Sequence, residues 1–290
     1  MAFALVVIIG GSNFVAVRFS NQGLAPYWGA TLRFFLAAIL FFAIAALRHR
    51  ALPRGAALVG AIVYGSLNFG VSYALAYQAL VDAPAALASV VVALVPLITL
   101  LLAAATGLER LQARGVGGAL VSTAGVAIVF GDQLSLAVPA RAMLLLLGFA
   151  AAIAASTVAA KRFPRSDPIA TNAAGLVPGV ALLFVLSLLA GEDRSLPTLP
   201  QAQLALAWLV TVGTVGLFAG VLFVLGRWTA SASSYATVLF PLVTTALGAI
   251  LARELVGPQF LIGTLLVIAG VYVGTTRPAA KPAGVPAPAR

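Results

Sequence analysis

Apolar residues run through this chain in long blocks divided by short polar gaps. Each block is roughly 17–25 residues long, the length a helix needs to cross the hydrocarbon core of a bilayer. Ten such blocks are legible, over residues 2–19, 26–47, 56–79, 84–106, 115–131, 140–161, 168–190, 202–226, 231–252 and 258–276. Several open with a proline, at Pro26, Pro84, Pro168 and Pro258. The first helical turn is where the missing N–H of proline costs nothing. Residues 277–290 carry no apolar block and are rich in proline and alanine, which predicts a disordered tail.

The blocks repeat. VALVPLITLLLAAATGLE (92–109) and TVLFPLVTTALGAILARE (237–254) align at an offset of 145 residues, half of 290. The alignment matches Pro96 with Pro241 and Glu109 with Glu254, and five further positions from Leu94/Leu239 to Ala104/Ala249 are identical. A repeat this long is not a solenoid unit and points to two related halves. Five spans is an odd number, so the second half must enter the membrane from the opposite side. The predicted fold is an all-α integral membrane protein of ten transmembrane helices in two inverted five-helix repeats, residues 1–132 and 133–276, with the tail 277–290 cytoplasmic. Pro96 and Pro241 fall near the middle of spans four and nine. There a kink and a freed carbonyl are tolerated only against protein or a water-filled cavity, so both are candidate hinge or gating residues.

Composition agrees with the blocks. Hydrophobic residues make up 62% of the chain and charged residues 8%, too few to clothe a soluble protein of this size. The net charge of +10 does not mark a nucleic-acid binder, because the basic residues sit in the gaps between apolar blocks. The gaps on one side of a ten-span chain carry Arg48, Arg50, Arg54, Arg110, Arg114, Lys161, Arg162, Arg165, Arg227, Arg277, Lys281 and Arg290, and the other side only Arg18, Arg141, Arg194 and Arg253. The positive-inside rule then puts both termini in the cytoplasm. The absence of cysteine excludes disulfides, thiolate metal sites and cysteine nucleophiles.

LAPYWGATLRFFLAAIL (24–40), VPLITLLLAAATGLERL (95–111) and FPLVTTALGAILARELVGPQFLIGTLLVIAGVYV (240–273) together resemble the drug/metabolite transporter superfamily, in particular its ten-helix exporters built from two inverted EamA-type repeats. The resemblance covers residues 1–276 and within the superfamily is nearest to the YddG-type aromatic amino acid exporters of the bacterial inner membrane. It implies a multi-pass inner-membrane exporter. One departure limits it: the Pro26-to-Arg33 pattern of span two has no cationic counterpart in ATNAAGLVPG (170–179) of span seven.

On span three, read as an uninterrupted α-helix, Ser66, Phe69, Gly70, Tyr73 and Tyr77 share a face. Their counterparts are Thr211, Thr214, Val215, Phe218 and Leu222, so both halves carry hydroxyls and aromatics on this stripe. A competing stripe of Tyr64, Asn68, Ser72 and Gln78 loses its polarity in the second half. The candidate substrate-binding residues are therefore Tyr73, Tyr77, Ser66, Thr211, Thr214 and Phe218, joined by Ser89 and Ser234, which are equivalent, and by Tyr235. Against each hydroxyl stands the plain alternative that it bonds its own i−4 carbonyl or a neighbouring helix. The same holds for Ser12 and Asn13 on span one, which resemble Ser156 and Thr157 in position. Arg33, the one basic residue well inside a block, can accept a substrate carboxylate, snorkel to the surface or bond carbonyls of a neighbouring helix. Trp28 and Trp208 lie near block ends and read as belt residues.

No Asp, Glu or His lies inside a predicted span, so proton coupling through a buried acid and binding of bare cations are disfavoured. The expected activity is an uncoupled carrier or exchanger that exports amino acids, aromatic ones above all. Its partners are a small-molecule substrate and membrane lipid, with no nucleic acid, no cofactor and no metal. A monomer is compatible with this reading, and the oligomeric state is open. The rivals are a broad drug or metabolite exporter, a channel, and a lipid-handling membrane enzyme. No catalytic set, metal cluster or Walker-type loop supports enzyme chemistry.

Overall fold

The computed structural model describes residues 2–83, 88, 91–129, 139–252 and 258–275. Among these residues the structure is helical with no strand. The helices are α1 (Ala2–Ser20), α2 (Pro26–Leu47), α3 (Ala56–Asp82), α4 (Val95–Ala105), α5 (Ala113–Val129), α6 (Ala140–Arg162), α7 (Pro168–Leu189), α8 (Pro200–Leu225), α9 (Ala236–Ala252) and α10 (Pro258–Thr275). A short helical turn, Ala230–Ser234, precedes α9. Pro26, Pro168 and Pro258 each stand at the first residue of their helix, as their fixed φ favours, whereas Pro84 lies outside the described residues. Five helices, α2, α3, α6, α7 and α8, are long and apolar enough to cross a membrane. Large apolar side chains such as Phe35, Ile39, Leu144 and Leu204 stand exposed on the outside of the bundle, where only lipid would receive them.

Glycine sets how closely the helices approach. At Gly118 on α5 any Cβ would lie 2.6 Å from the Gly270 carbonyl of α10, and at Gly125 it would lie 2.7 Å from the Gly263 carbonyl. These glycines pack spans five and ten within one chain. Gly65 of α3 and Gly175 of α7 meet in the same way, backbone on backbone. Small residues at the crossing are what bring transmembrane helices this near.

The pairing of helices has a pattern. α2 packs on α7 and α5 on α10; α1 packs on α8 and α9, and five helices on, α6 packs on α3 and α4. The two ends of the bundle are fixed by α1 and α8, which run antiparallel. Phe3 of α1 stacks on Trp228, just past α8, at 5.0 Å, while Gly23 beyond the other end of α1 lies against Ala202 at the start of α8.

Two helices depart from α geometry. α3 widens into a π-helical segment at Ser66–Val71 and α8 at Thr211–Gly216. Both boundaries of the second segment fall 145 residues after those of the first. A π-turn carries one residue more than the α-helix needs, and so turns the remainder of the helix about its axis.

The two prolines of the repeat are not placed alike. The chain breaks from helix at Ala93 and Leu94, and Pro96 is the second residue of the fresh helix α4 rather than the middle of a long one. Pro241 is buried inside the continuous α9. Spans four and nine are both interrupted, but span nine breaks earlier, at Tyr235.

Candidate functional site

A cavity of about 140 Å3 lies among α1, α2, α3, α6, α8 and the start of α9. An enclosed apolar space of about this size holds roughly one benzene ring. Along α3 the wall is made by Tyr64, Asn68, Tyr73 and Tyr77. The steps between them are four, five and four residues, and the step of five crosses the π-segment. The cavity face of α3 thus starts on one sequence stripe and ends on the other. For this reason Ser66 is not among the lining residues, and Gly70 faces Leu182 and Gly179 of α7. Ser66, Phe69, Gly70, Tyr73 and Tyr77 therefore do not share one face of α3, contrary to the uninterrupted α-helical expectation.

An aromatic cluster forms the floor. Phe34 meets Tyr73 edge-on at 4.6 Å, Phe69 meets Phe218 at 4.7 Å, and Tyr73 meets Phe218 at 6.4 Å. Such edge-to-face pairs add to simple burial and fix ring orientation. Phe218 and Tyr73 line the cavity, whereas Phe69 is fully buried behind them.

Arg33 reaches into this cluster from α2 with no exposed surface. It does not snorkel. Its Nε donates to Thr214 Oγ1 at 2.9 Å and its Nη2 to the Gly213 carbonyl at 3.0 Å, both in the π-segment of α8. The guanidinium carbon lies 5.0 Å from the ring centre of Phe34 and 5.1 Å from that of Tyr73, within cation–π range. Among the described residues the one ion pair is Arg50 with Asp167, so no described carboxylate balances the Arg33 charge. A buried cation held only by neutral partners is costly.

Asn13 of α1 meets the same carbonyl, donating from Nδ2 to Gly213 at 2.8 Å. A side chain at Gly213 would collide with the Asn13 amide, so glycine is what admits Asn13 to the carbonyl. In the first π-segment the roles differ. Asn68 occupies the π-segment of α3, equivalent to Gly213, and accepts from Ser156 of α6 at 3.3 Å. Asn68 Nδ2 also contacts Tyr64 Oη at 3.5 Å, and Tyr64 donates to Asn172 of α7 at 3.3 Å.

Four buried polar atoms in the cavity wall have no hydrogen bond of normal geometry: Asn13 Oδ1, Arg33 Nη1, Tyr77 Oη and Ser233 Oγ, with the Tyr77 hydroxyl next to the Arg33 guanidinium. Leaving such a group unpaired costs about 1–3 kcal/mol, and more for a charged one.

The remaining sequence candidates are dispersed. Ser234 lines the cavity and Thr214 stands behind it as the acceptor for Arg33. Thr211 is exposed and bonds its own Ala207 carbonyl, and Tyr235 is buried elsewhere, donating to Gly115 of α5 at 2.8 Å. Neither lines the cavity, because Thr211 opens the second π-segment and Tyr235 stands at the break before α9. Ser89 lies outside the described residues. Trp28 is partly exposed near one bundle end, its Nε1 donating to Ser195 at 2.8 Å, and Trp208 is exposed on α8.

Two carboxylates that sequence reasoning passed over tie helices distant in sequence together. Glu109, after α4, accepts from Ala230 N at 2.6 Å and from Ser231 N at 3.2 Å, and also holds Ser231 Oγ. Glu192, after α7, accepts from Tyr27 N at 2.9 Å and Trp28 N at 2.7 Å, capping α2, which has no side-chain cap of its own. The two sit at opposite ends of the bundle, each on the first free N–H groups of a helix. A second cavity, of about 500 Å3, shares Tyr64 and Leu225 with the first and is lined by Lys161, Arg165 and Arg227. Lys161 is itself engaged, donating to the Leu225 carbonyl at 2.8 Å.

A helical bundle with an apolar exterior and a polar-tipped inner cavity is the arrangement a membrane carrier needs. The description of the EamA-like transporter family matches residues 1–131 and 140–276, and the chain belongs to that family. It is therefore a multi-pass membrane transporter. It is 29% identical over 290 residues to the "Uncharacterized inner membrane transporter YedA" of Escherichia coli strain K12, covering 97% of this chain and 93% of that one. It is 28% identical over 284 residues to the "Probable amino-acid metabolite efflux pump" of Salmonella typhimurium, covering 93% and 92%. A solved crystal structure shares the fold with a TM-score of 0.78 at 21% identity, over 94% of this chain and 95% of the other.

Proposed function

We propose that this protein is an inner-membrane secondary transporter that exports amino acids, aromatic ones above all, from the cytoplasm. The observation that carries the reading is the cavity itself. It is walled by Tyr64, Tyr73, Tyr77 and Phe218, has room for one aromatic ring, and has a buried, unbalanced guanidinium at its edge. The name of the Salmonella relative, a probable amino-acid metabolite efflux pump, agrees with this substrate class.

The mechanism in this proposal is alternating access by two inverted five-helix halves, residues 1–132 and 133–276, with both termini cytoplasmic. Three observations favour it: the π-segments separated by the repeat length, the pairing of helices that exchanges under a shift of five, and the division of the family match into 1–131 and 140–276. Substrate would enter through the cavity lined by Lys161, Arg165 and Arg227 and pass Tyr64 and Leu225. Pro96 and Pro241 remain the candidate hinges, Pro96 beside the break at Ala93 and Leu94 and Pro241 inside the helix that follows the break at Tyr235. Transport is uncoupled or an exchange, since the described wall of the cavity contains no acid or histidine to carry a proton.

The test is uptake of labelled L-phenylalanine by liposomes holding the purified full-length protein, at several concentrations, with and without a pH gradient. Saturable uptake that ignores the gradient is expected. Uptake no greater than in empty liposomes, from protein shown to be folded, overturns the substrate class. A flux that rises without saturation makes the protein a channel.

A further inference from the structure

The cavity offers more than a place for a ring. Apart from the Ser233 hydroxyl, three of its four unpartnered polar atoms differ in kind: Arg33 Nη1 carries donors and a charge, Tyr77 Oη has a proton to donate, and Asn13 Oδ1 is an acceptor alone. The orientation of the Asn13 amide is not arbitrary. Its Nδ2 is committed to the Gly213 carbonyl, so the acceptor end is the one left free. Arg33 is committed likewise, with Nε and Nη2 on Thr214 and Gly213, which leaves Nη1. All three residues line the one cavity and all are at least nine-tenths buried. Water has little polar surface to hold it there, as the rest of the wall is mostly apolar.

We propose that these atoms form a head-group site for a zwitterion: Arg33 Nη1 and Tyr77 Oη take the carboxylate of an α-amino acid, and Asn13 Oδ1 takes its ammonium group. This rests on the reading of the cavity as the transport site. The carboxylate supplies the negative charge that Arg33 lacks among the described residues, and the ammonium fills the acceptor that a plain carboxylate would leave unpaired. Asn13 is then the residue that separates amino acids from simple acids, and Arg33 the one that separates them from simple amines. A bare amine would meet the Arg33 charge with nothing to offset it.

Competition in the liposome assay tests this with the unaltered protein. Labelled L-phenylalanine uptake is measured against rising 3-phenylpropionate, 2-phenylethylamine and unlabelled L-phenylalanine. The expected order of potency is phenylalanine, then phenylpropionate about ten-fold weaker, then phenylethylamine weaker still. In Asn13→Ala, the gap between phenylalanine and phenylpropionate should close to within about two-fold while phenylpropionate keeps its own potency. If that variant does not fold, the wild-type order decides alone. Phenylpropionate competing as well as phenylalanine overturns the role of Asn13, and phenylethylamine competing as well overturns the role of Arg33. In both cases saturable phenylalanine uptake leaves the proposed function standing. No phenylalanine uptake and no protection of the purified protein against heat by phenylalanine would remove the proposed function together with the head-group site.

Discussion

The π-segments Ser66–Val71 and Thr211–Gly216 lie 145 residues apart and do different chemistry. The first presents side chains, Asn68 to Ser156 and Phe69 to the aromatic cluster. The second presents backbone: the Gly213 carbonyl, taken by both Asn13 and Arg33, with Thr214 Oγ1 beside it. A π-turn frees carbonyls from the helical ladder, and a freed carbonyl inside a membrane protein must find a donor. In α3 the donor to the Asn68 carbonyl is Ser72 of the same helix. In α8 the donors come from α1 and α2, which draws a charged residue into the protein interior. One backbone device thus serves as a packing joint in α3 and as an anchor for a cation in α8.

The sharpest way to break this contrast is Gly213→Val. Its side chain would occupy the space of the Asn13 amide and displace both donors from the carbonyl. Overpacking of this kind costs about 1–3 kcal/mol, and amino acid uptake should fall more than ten-fold. Uptake within two-fold of wild type would show that the carbonyl does not organise the site. Next is Arg33→Lys, which keeps the charge but not the planar fork that holds Thr214 and Gly213 together. A five- to ten-fold loss in apparent affinity is expected from uptake kinetics, with the thermal midpoint in detergent also lowered. Asn68→Ala probes the first segment. It removes the neutral bonds to Ser156 and Tyr64, each worth about 1 kcal/mol, and should lower the thermal midpoint while reducing uptake only a few-fold. The smallest effect belongs to the pair Ser66→Ala and Thr211→Ala. Both residues begin a π-segment and neither lines the cavity, so uptake should stay within two-fold of wild type in each. A larger loss in just one of them would mean that the segments differ even in how they begin.

Most of the helical framework was legible because it rests on block length and proline position. α2 was predicted at 26–47 and is found at Pro26–Leu47, since Pro26 fixes one end and Arg48 follows the other. The face of α3 was not legible. Tyr73 and Tyr77 were found, but Tyr64 and Asn68 were assigned to the opposing stripe, because a period of 3.6 was carried through a segment that does not keep it. Arg33 stood out through its charge, and its partner could not, since Gly213 acts through a carbonyl that every residue possesses. Asn13 was weighed only as a companion of Ser12, although an amide in an apolar helix is nearly as demanding as a charge. Glu109 and Glu192 were counted as loop acids, because a cap on a helix distant in sequence leaves no local pattern.

A π-turn differs from an α-turn by a single residue, and one residue rotates a helix by about 100°. In the language of genes, the choice of which tyrosines of α3 look into the cavity is one codon long. That codon lies within 66–71, clear of Tyr73 and Tyr77 themselves. A single inserted or deleted triplet there would turn the α3 part of the cavity wall without altering any of its tyrosines.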